Sequence, residues 1–416
     1  MTIRTPVVLH VLEAVEGGTA RHVVDLVTHA KGVRHVVAIP AERVGGNTDR
    51  IAADRMRAAG ADVRTIDMRR NPAAPANLRA QARLLRLARA TNADVIHGHS
   101  SVGGALARVT GALVRRPVVW TPNGVMDNAV VQRVERALGR VTDHVIAVSG
   151  SEAAVIEQQR LARPGHLSVI PNAIEVDLPA PRTPSLRAQL GLGPDDLLVG
   201  CIARPSTQKA PEVLVAAWER VHAVLPDAIL VWIGDGPQGD VVAAAADRLP
   251  SLRWIRALPD APAYLADLDL FVLSSRYEGA PYAPLEAMRA GVPVLLTDVV
   301  GNRDAVVDGK TGVLVRAEDP TGLADQMILL LQDAGLRARL GEAGRDEVRG
   351  TRDVTQMAAA TVAVYQRLVM RDVTQSHRDR APNGVPPVSD DLSQFGHPRE
   401  TTARPGRTCL PPQETQ

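Results

Sequence analysis

The chain has 416 residues, a hydrophobic fraction of 45% and a formal net charge of +2, which predicts a globular protein of about two domains without a nucleic-acid partner. Two cysteines, Cys201 and Cys409, exclude a disulfide framework and a clustered thiolate metal site. Apolar runs stay below the roughly 18 residues of a membrane helix, and no signal peptide precedes the first strand-like segment, so we expect a cytoplasmic protein.

Short apolar runs alternate with helical stretches through the first half of the chain. The predicted strands are Val7–Leu12, Arg34–Ile39, Val63–Ile66, Asp94–His97, Pro117–Trp120 and Asp143–Val148. The predicted helices lie near residues 19–31, 48–59, 76–91, 101–114, 128–140 and 150–160. Strands that alternate with helices of this length indicate βαβ units and a parallel sheet. A proline-rich stretch that follows Asn172 and extends to Ser185 is typical of a linker.

The alternation starts again after the linker. The predicted strands there are Leu197–Ile202, Ala228–Ile233, Leu252–Ile255, Leu268–Leu273 and Val292–Leu296, and helices near 320–333, 336–348 and 353–370 close the fold. We therefore predict an α/β protein with two Rossmann-like domains that face a cleft, residues 1–178 and 187–352, and a last helix over 353–371. Residues 372–416 contain few large apolar side chains and are predicted to be a disordered tail.

Two glutamates separated by seven residues, Glu278 and Glu286, carry the strongest functional signal. The strand Leu268–Leu273 leads into them, a turn of small residues follows the first glutamate, and a short helix is predicted around the second. Ligands of parallel sheets gather at the carboxyl ends of strands, and a strand–turn–helix segment presents backbone N–H groups to an anion. Two carboxylates beside such a turn could bind sugar hydroxyls on either side of a diphosphate. The alternative is an ordinary loop with two solvated glutamates.

The turn between the glutamates has the composition of a phosphate cradle. Gly279 lets the backbone approach a ligand closely. The amides of Ala280, Tyr282 and Ala283 could donate hydrogen bonds to a phosphate, whereas Pro281 has no N–H. The segment is therefore predicted to bind the diphosphate of a nucleotide sugar.

Two cations follow the first strand of the second half. Arg204 and Lys209 come after Leu197–Ile202, and Lys209 is one of only three lysines among 48 basic residues. A guanidinium fork and an ammonium suit a diphosphate, and both would neutralise the charge that develops on a leaving nucleoside diphosphate. In the first half, the pair Gly17-Gly18 follows a strand and permits a close approach to a ligand across the cleft. The alternative for Arg204 and Lys209 is a pair of solvent-facing cations in a loop. The alternative for Gly17-Gly18 is a simple turn between a strand and a helix.

Histidines and paired aspartates lie at other strand ends. His97 and His99 end a predicted strand, and we expect them to face opposite sides of the sheet, which disfavours a two-histidine metal site. His99 could contact the substrate that accepts the sugar, or it could have a structural role alone. The sequence Asp267-Leu268-Asp269 resembles a metal-binding motif, but it opens a core strand and is predicted to be a structural cap.

An arginine-rich helix is predicted over residues 79–89. Its arginines recur every three to four residues, at Arg79, Arg83, Arg86 and Arg89. Such a face could rest on an anionic membrane surface. A solvated face in an arginine-biased protein is the favoured interpretation, so peripheral membrane contact is an alternative and not the prediction.

These pieces together resemble the retaining glycosyltransferases of family 4, which have the two-Rossmann GT-B fold. The similarity covers roughly residues 6–370. The matching pieces, in chain order, are Gly17-Gly18, Asp94 to His99, Pro171-Asn172, Arg204 to Lys209, Gly234 to Pro237, Glu278 to Glu286, and Asp308 to Gly312. Each piece is weak alone, and their common order makes the set specific.

The resemblance implies a nucleoside-diphosphate sugar as donor, with a UDP-sugar favoured, bound mainly by the second domain. It implies that Glu278 accepts hydrogen bonds from hydroxyls of the transferred sugar and that Glu286 binds the ribose. Arg204 and Lys209 would hold the diphosphate.

Two further loops complete the implied donor site. Gly17-Gly18 would close around the diphosphate, and the segment near Leu258 would border the base. Transfer would proceed with retention and without a divalent ion or other cofactor. The first domain would select the acceptor, and the last helix would cross back to that domain.

The acceptor side departs from the family pattern at Asn123. Many relatives carry a histidine after the Thr-Pro pair that follows the strand ending at Trp120. Asn123 cannot act as an acid or base, although it can donate and accept hydrogen bonds. A retaining mechanism in which a phosphate oxygen of the leaving group takes the acceptor proton stays compatible with this change. Side chains that could substitute for the histidine are His99, His22, Glu13 and Asp127.

The sequence therefore predicts a glycosyltransferase that moves a hexose or N-acetylhexosamine from a UDP-sugar to an acceptor hydroxyl. A small natural product such as an aminocyclitol is the favoured acceptor, and a lipid-linked or cell-envelope glycan is the alternative. A sugar-nucleotide epimerase and a non-catalytic sugar-nucleotide-binding protein are other possibilities within this fold. A pyridoxal-phosphate-dependent phosphorylase is disfavoured because only Lys209, already assigned, and Lys310 lie in the second half.

Overall fold

The computed structural model describes residues 4–15, 17–40, 48–125, 128–179 and 182–380. The strands of its first domain are β1 (Val7–Leu12), β2 (Arg34–Ile39), β3 (Asp62–Thr65), β4 (Val95–His99), β5 (Val118–Thr121), β6 (His144–Ala147) and β7 (Leu167–Val169). They form one parallel sheet in the order β3-β2-β1-β4-β5-β6-β7. The accompanying helices are α1 (Gly17–His29), α2 (Thr48–Ala58), α3 (Pro75–Ala90), α4 (Ser101–Val114), α5 (Ala129–Gly139) and α6 (Gly150–Gln158).

The second domain repeats this layout around six parallel strands. The strands are β8 (Leu198–Ile202), β9 (Ile229–Ile233), β10 (Leu252–Ile255), β11 (Leu270–Leu273), β12 (Val294–Thr297) and β13 (Val313–Val315), in the order β10-β9-β8-β11-β12-β13. The helices are α7 (Leu186–Leu190), α8 (Pro211–Val224), α9 (Gly239–Arg248), a 3-10 helix (Ala261–Asp267), α10 (Tyr282–Arg289), α11 (Pro320–Gln332) and α12 (Ala334–Thr351). Two parallel sheets with helices between their strands confirm the predicted fold.

The central strands are buried along their whole length. β1, β11 and β12 have no exposed position, and the core of the second domain contains the fully buried side chains of Trp218, Trp232 and Phe271. Parallel strands covered on both faces are expected to be continuous apolar runs. The sequence of β11 is such a run, and that of β1 is interrupted only by His10. The segments that follow the carboxyl ends of these strands carry the polar groups of the candidate site.

The last helix, α13 (Val354–Arg380), returns to the first domain. Met357 and Leu368 of this helix belong to one buried apolar cluster with Val8 of β1 and Val119 of β5. The crossing predicted for the last helix is therefore present, and α13 completes an apolar core that β1 and β5 form on its other side.

The chain passes between the two domains twice, and the two connecting segments lie side by side. Ile174, which follows β7, forms a parallel bridge with Asp353, which precedes α13. Contacts place residues 1–374, with both sheets, in one unit; of the second unit, 375–416, only the helical residues 375–380 are described. The proposed boundaries near residues 178, 187 and 352 stay predictions.

Some elements differ from the sequence prediction. The sequence does not predict β7, α7 or β13, which have only three to five residues each. Residues 372–380, which the sequence assigns to the predicted tail, are helical and continue α13, and no proline occurs in this stretch before Pro382 to end the helix. The rest of the predicted tail lies outside the described residues. Within the described ranges, every helix is too short or too polar to cross a bilayer.

Candidate active site

The candidate site lies where the strand order of each sheet reverses. In the first sheet the reversal falls between β1 and β4, and in the second it falls between β8 and β11. Open parallel sheets bind ligands at the carboxyl ends of the strands beside such a reversal. The predicted site residues follow these four strands: Gly17 and Gly18 after β1, His99 at the end of β4, Arg204 and Lys209 after β8, and Glu278 after β11.

Lys209 and Glu278 form the closest ionic contact of the site. Lys209 Nζ lies 2.5 Å from Glu278 Oε1, and Gln208 Nε2 donates to Glu278 Oε2 at 3.3 Å. The Glu278 side chain is only 5% exposed and that of Lys209 is 19% exposed. The structure thus brings together a carboxylate and a cation that the sequence places 69 residues apart. Arg204 is exposed two residues after β8, and a Cβ built on Gly236 would lie 2.6 Å from Arg204 Cγ.

Glu286, the second predicted carboxylate, faces α1 of the first domain. It lies inside α10 and is buried, and its Oε1 accepts a hydrogen bond from Arg21 Nη1 at 3.3 Å. Arg21 Nε also donates to both oxygens of Asp25, at 2.8 and 2.9 Å. Burial raises the pKa of Glu286, although Arg21 opposes the shift. Burial likewise raises the pKa of Asp25, to about 6. One arginine is therefore shared by two buried carboxyls across the domain boundary.

Glycines allow loops of the two domains to touch. A Cβ built on Gly18 would lie 3.7 Å from the Tyr282 ring, and one built on Gly279 would lie 3.0 Å from backbone atoms of Asn123 and Gly124. Gly17 has a φ of +69° and begins α1, so the helix starts two residues earlier than predicted. The turn after Glu278 is thus bordered by the start of α1 and by the loop after β5.

The other predicted donor residues lie around the same turn. Ala280 directly precedes Pro281, and α10 begins at Tyr282. Tyr282 is buried, and its hydroxyl has no hydrogen-bond partner within the described residues. Ala283 and Leu258 are half-buried and pack against the core of the second domain.

The histidines of β4 face one side of the sheet. The rings of His97 and His99 are 4.0 Å apart between centroids, and both are buried with His10 of β1. The expectation that they point to opposite faces is wrong, because side chains two residues apart on a strand share a face. One nitrogen from each of His10, His97 and His99 lies within 4.8 Å of the others. A metal could use that spacing, but the nitrogens of His97 already contact the hydroxyls of Tyr365 and Thr121, and His10 is hydrogen-bonded to His99.

A chain of hydrogen bonds fixes the tautomers of His35, His10 and His99. His35 Nε2 faces the carbonyl oxygen of Ala30 at 3.3 Å and therefore carries the proton. His35 Nδ1 then accepts from His10 Nε2 at 3.0 Å, and His10 Nδ1 accepts from His99 Nε2 at 3.1 Å. His99 Nδ1 is left as a buried lone pair without a partner in the described part of the chain. Burial lowers the pKa of His10 and His99, so both rings are neutral near pH 7.

Comparison with known proteins assigns the family. Residues 16–178 match Glycosyltransferase Family 4, and residues 196–333 match the glycosyl transferases group 1. Glycogen synthase of Mycobacterium tuberculosis is 30% identical over 310 residues, which are 70% of this chain and 73% of that protein. The chain belongs to the family 4 glycosyltransferases.

Two further comparisons are with a solved structure of the same fold and with a second relative of similar sequence. The structure of HepE from Anabaena in complex with UDP and glucose aligns with this glycosyltransferase at a TM-score of 0.76 and 21% identity, over 87% of this chain and 100% of HepE. That likeness confirms the predicted GT-B fold. D-inositol 3-phosphate glycosyltransferase of Nocardia farcinica is 30% identical over 275 residues, which are 60% of this chain and 61% of that protein.

Asn123, predicted to lie on the acceptor side, follows β5 with a φ of +55°. Its Nδ2 donates to the Thr121 carbonyl at 3.3 Å, which leaves Oδ1 as a buried acceptor without a partner among the described residues. His22 is buried on α1, Glu13 is buried after β1, and Asp127 lies outside the described residues.

Glu152 is a functional candidate that sequence reasoning misses. It is buried in the first turn of α6, where Oε1 accepts from the Gly124 amide at 2.6 Å and Oε2 from the Val148 amide at 2.7 Å. Burial raises the pKa of Glu152 to about 7 in spite of these two hydrogen bonds. A serine N-cap followed three residues later by glutamate, here Ser149 and Glu152, is the sequence signal that could have identified it.

The paired aspartates, predicted to be structural caps, and the arginines of α3, predicted to form a solvated face, both have those surroundings in the glycosyltransferase. Asp267 Oδ2 accepts from the Leu186 amide at 2.6 Å, and Asp269 Oδ2 accepts from the Leu198 amide at 2.8 Å, which confirms a capping role for both. The arginines of α3 are exposed, at Arg79, Arg83, Arg86 and Arg89.

Proposed function

We propose that this glycosyltransferase transfers a hexose or N-acetylhexosamine from a UDP-sugar to an acceptor hydroxyl with retention of configuration. The observation that carries the proposal is the pairing of Lys209 with Glu278 at the reversal of the second sheet, beside the first turn of α10, which no side chain of the described residues caps. In this arrangement the carboxylate can accept hydrogen bonds from the sugar hydroxyls. The cation and the first amides of the helix can bind the negatively charged diphosphate.

In this proposal the donor binds across the turn between the two glutamates. Glu278 accepts hydrogen bonds from hydroxyls of the transferred sugar, and Lys209 exchanges part of its contact with Glu278 for the diphosphate. Arg204 approaches the diphosphate from the loop after β8. When the bond from the anomeric carbon to the diphosphate oxygen breaks, the leaving group gains negative charge, which the two cations stabilise.

Binding of the ribose requires a change at Glu286. Its carboxylate is held by Arg21 in this structure, so the ribose hydroxyls would replace or extend that contact. The proposed base-binding segment near Leu258 lies half-buried on the second domain. Because burial raises the pKa of Glu286, hydroxyl donors and Arg21 together would favour its ionised form.

The acceptor proton passes, in this proposal, to an oxygen of the leaving diphosphate, because Asn123 cannot take it. The free Oδ1 of Asn123 accepts a hydrogen bond from a hydroxyl of the donor sugar or of the acceptor. No divalent ion takes part, since Arg204 and Lys209 supply the positive charge.

The acceptor that we propose is a small polar hydroxyl compound such as an aminocyclitol. Support comes from the similarity to an enzyme named for an inositol phosphate, and HepE was solved with UDP and glucose. A lipid-linked acceptor is the second candidate, favoured by the exposed arginine face of α3, which could approach anionic lipids.

The test uses the full chain with UDP-, GDP- and ADP-linked glucose, galactose and N-acetylglucosamine, each with cyclitols and with polyprenyl phosphate sugars in vesicles. We expect UDP release that depends on a cyclitol, persists in EDTA and gives a product with the anomeric configuration of the donor by NMR. Glu278→Gln should abolish release, whereas Glu219→Gln, an exposed carboxylate in α8, should leave it unchanged. Absence of transfer from every donor would refute the proposal.

A further inference from the structure

The pair Pro171-Asn172 lies where the first domain ends and the chain starts its crossing. The Asn172 amide donates to the Val148 carbonyl at 3.3 Å, so its backbone is tied to the end of β6. Its side chain is buried at 4% exposure and contacts groups from two different elements. Nδ2 donates to the Ala280 carbonyl at 2.9 Å, and Oδ1 lies 3.0 Å from His22 Nδ1. Asn172 therefore joins α1 to the turn that precedes α10.

The polarity of this chain of hydrogen bonds has one solution. A backbone carbonyl can only accept, so the amide nitrogen of Asn172 must face Ala280. The Asn172 oxygen then faces His22, whose Nδ1 must carry a proton to donate to it. Burial lowers the pKa of His22 to about 4, so near pH 7 the ring is neutral and its Nε2 is the unprotonated nitrogen. The Asn172 side chain thus accepts a hydrogen bond from His22 and donates one to Ala280.

Ala280 lies directly before Pro281, the residue that precedes the first helical residue of α10. The residue after it, Pro281, has no N–H and gives the helix no side-chain cap within the described residues. The first amides of the helix, on Tyr282 and Ala283, have no partner of their own inside the helix. Their directions follow from the angle at which the chain enters α10, and the Asn172 contact restrains the carbonyl of the Ala280–Pro281 peptide, one residue before that entry.

We propose that Asn172, held by His22, is a positioning residue that orients the first amides of α10 toward the diphosphate of the donor. The inference rests on the proposed function for the identity of the ligand, but the hydrogen-bonded link itself is a property of the protein alone. It assigns a role to the Pro171-Asn172 motif and makes the start of α10 depend on α1 of the other domain.

The decisive variant is Asn172→Asp, which keeps the shape and can still accept from His22 but cannot donate to Ala280. Asn77→Asp is the matched control, because Asn77 is a buried asparagine whose side-chain hydrogen bonds all join it to residues 69–72. With UDP as the probe in calorimetry, we expect about tenfold weaker binding in Asn172→Asp and no change in Asn77→Asp, with both variants folded. Equal UDP affinity in wild type and Asn172→Asp would overturn the proposal.

Hydrogen exchange in the ligand-free protein separates this inference from the proposed donor. Amides that are hydrogen-bonded inside α10, on Glu286 and Ala287, should exchange about tenfold faster in Asn172→Asp, while those of β11 keep wild-type rates. If the wild type did not bind UDP, the proposed donor would fail, and exchange alone would decide the role of Asn172. Unchanged exchange at these amides would refute the link. The double variant His22→Phe/Asn172→Asp should bind UDP no more weakly than Asn172→Asp, since both residues act through one chain of contacts.

Discussion

Replacing Lys209 by methionine removes the cation that lies 2.5 Å from Glu278 Oε1. At an effective dielectric constant of about 20, that separation corresponds to an attraction of about 7 kcal/mol, most of which offsets the cost of removing both charges from water. Because the Glu278 side chain is only 5% exposed, the variant leaves a carboxylate with little access to water. We expect Lys209→Met to lower the free energy of unfolding by about 3 kcal/mol, measured by urea denaturation.

The double variant Lys209→Met/Glu278→Gln distinguishes stability from function. It removes both charges and keeps the shape of Glu278, so its free energy of unfolding should return to within about 1 kcal/mol of wild type. Donor turnover should stay undetectable, because the variant lacks both the carboxylate proposed to bind the sugar and the cation proposed to bind the diphosphate. A double variant as unstable as the sum of the two single variants would show that the pair is not coupled and would refute the reasoning.

Three further predictions concern backbone contact, protonation and a buried ion pair. Gly279→Ala places a Cβ 3.0 Å from the backbone of the loop after β5, so transfer should slow by about tenfold in steady-state kinetics while the melting temperature changes little. His22 has its pKa lowered to about 4 in the folded state, so unfolded chains bind more protons between pH 4 and 6.5 and stability falls with acid. Relative to His22→Gln, the wild type should lose about 1.4 kcal/mol per pH unit there, and a constant difference in urea titrations would contradict this. Glu135→Gln removes the carboxylate partner of Arg108, which is fully buried over the Trp120 ring, and should cost about 3 kcal/mol. The exposed control Glu219→Gln should cost less than about 1 kcal/mol in the same assay.

Strand periodicity and the positions of strand ends are the parts of this fold that the sequence predicts well. Continuous apolar runs identify the central strands, and the rule that carboxyl ends meet at one edge is enough to expect Lys209 near Glu278. The 3-residue strands β7 and β13 are missed because so few residues give no period to detect. The faces of His97 and His99 are predicted wrongly, although the period of a strand places both on one side.

Contacts between the domains cannot be read from local patterns. Arg21 contacts Glu286 across 265 residues of sequence, and Asn172 contacts Ala280 across 108. Neither pair has a spacing that one element imposes, because each depends on how two separately formed surfaces pack. These contacts also explain why Glu286, predicted to bind a ribose, is covered by an arginine in this structure.

The return of α13 to the first domain has a consequence for biosynthesis. Met357 and Leu368 cover Val8 and Val119, so a nascent chain that has left the ribosome only as far as the first sheet still exposes that apolar surface. At translation speeds of about 5 to 20 residues per second, the interval between residues 178 and 370 lasts roughly 10 to 40 s. During that interval the emerging protein offers a binding surface to chaperones and to other unfinished chains. Its first domain reaches its final form only after nearly all of the second has been synthesised.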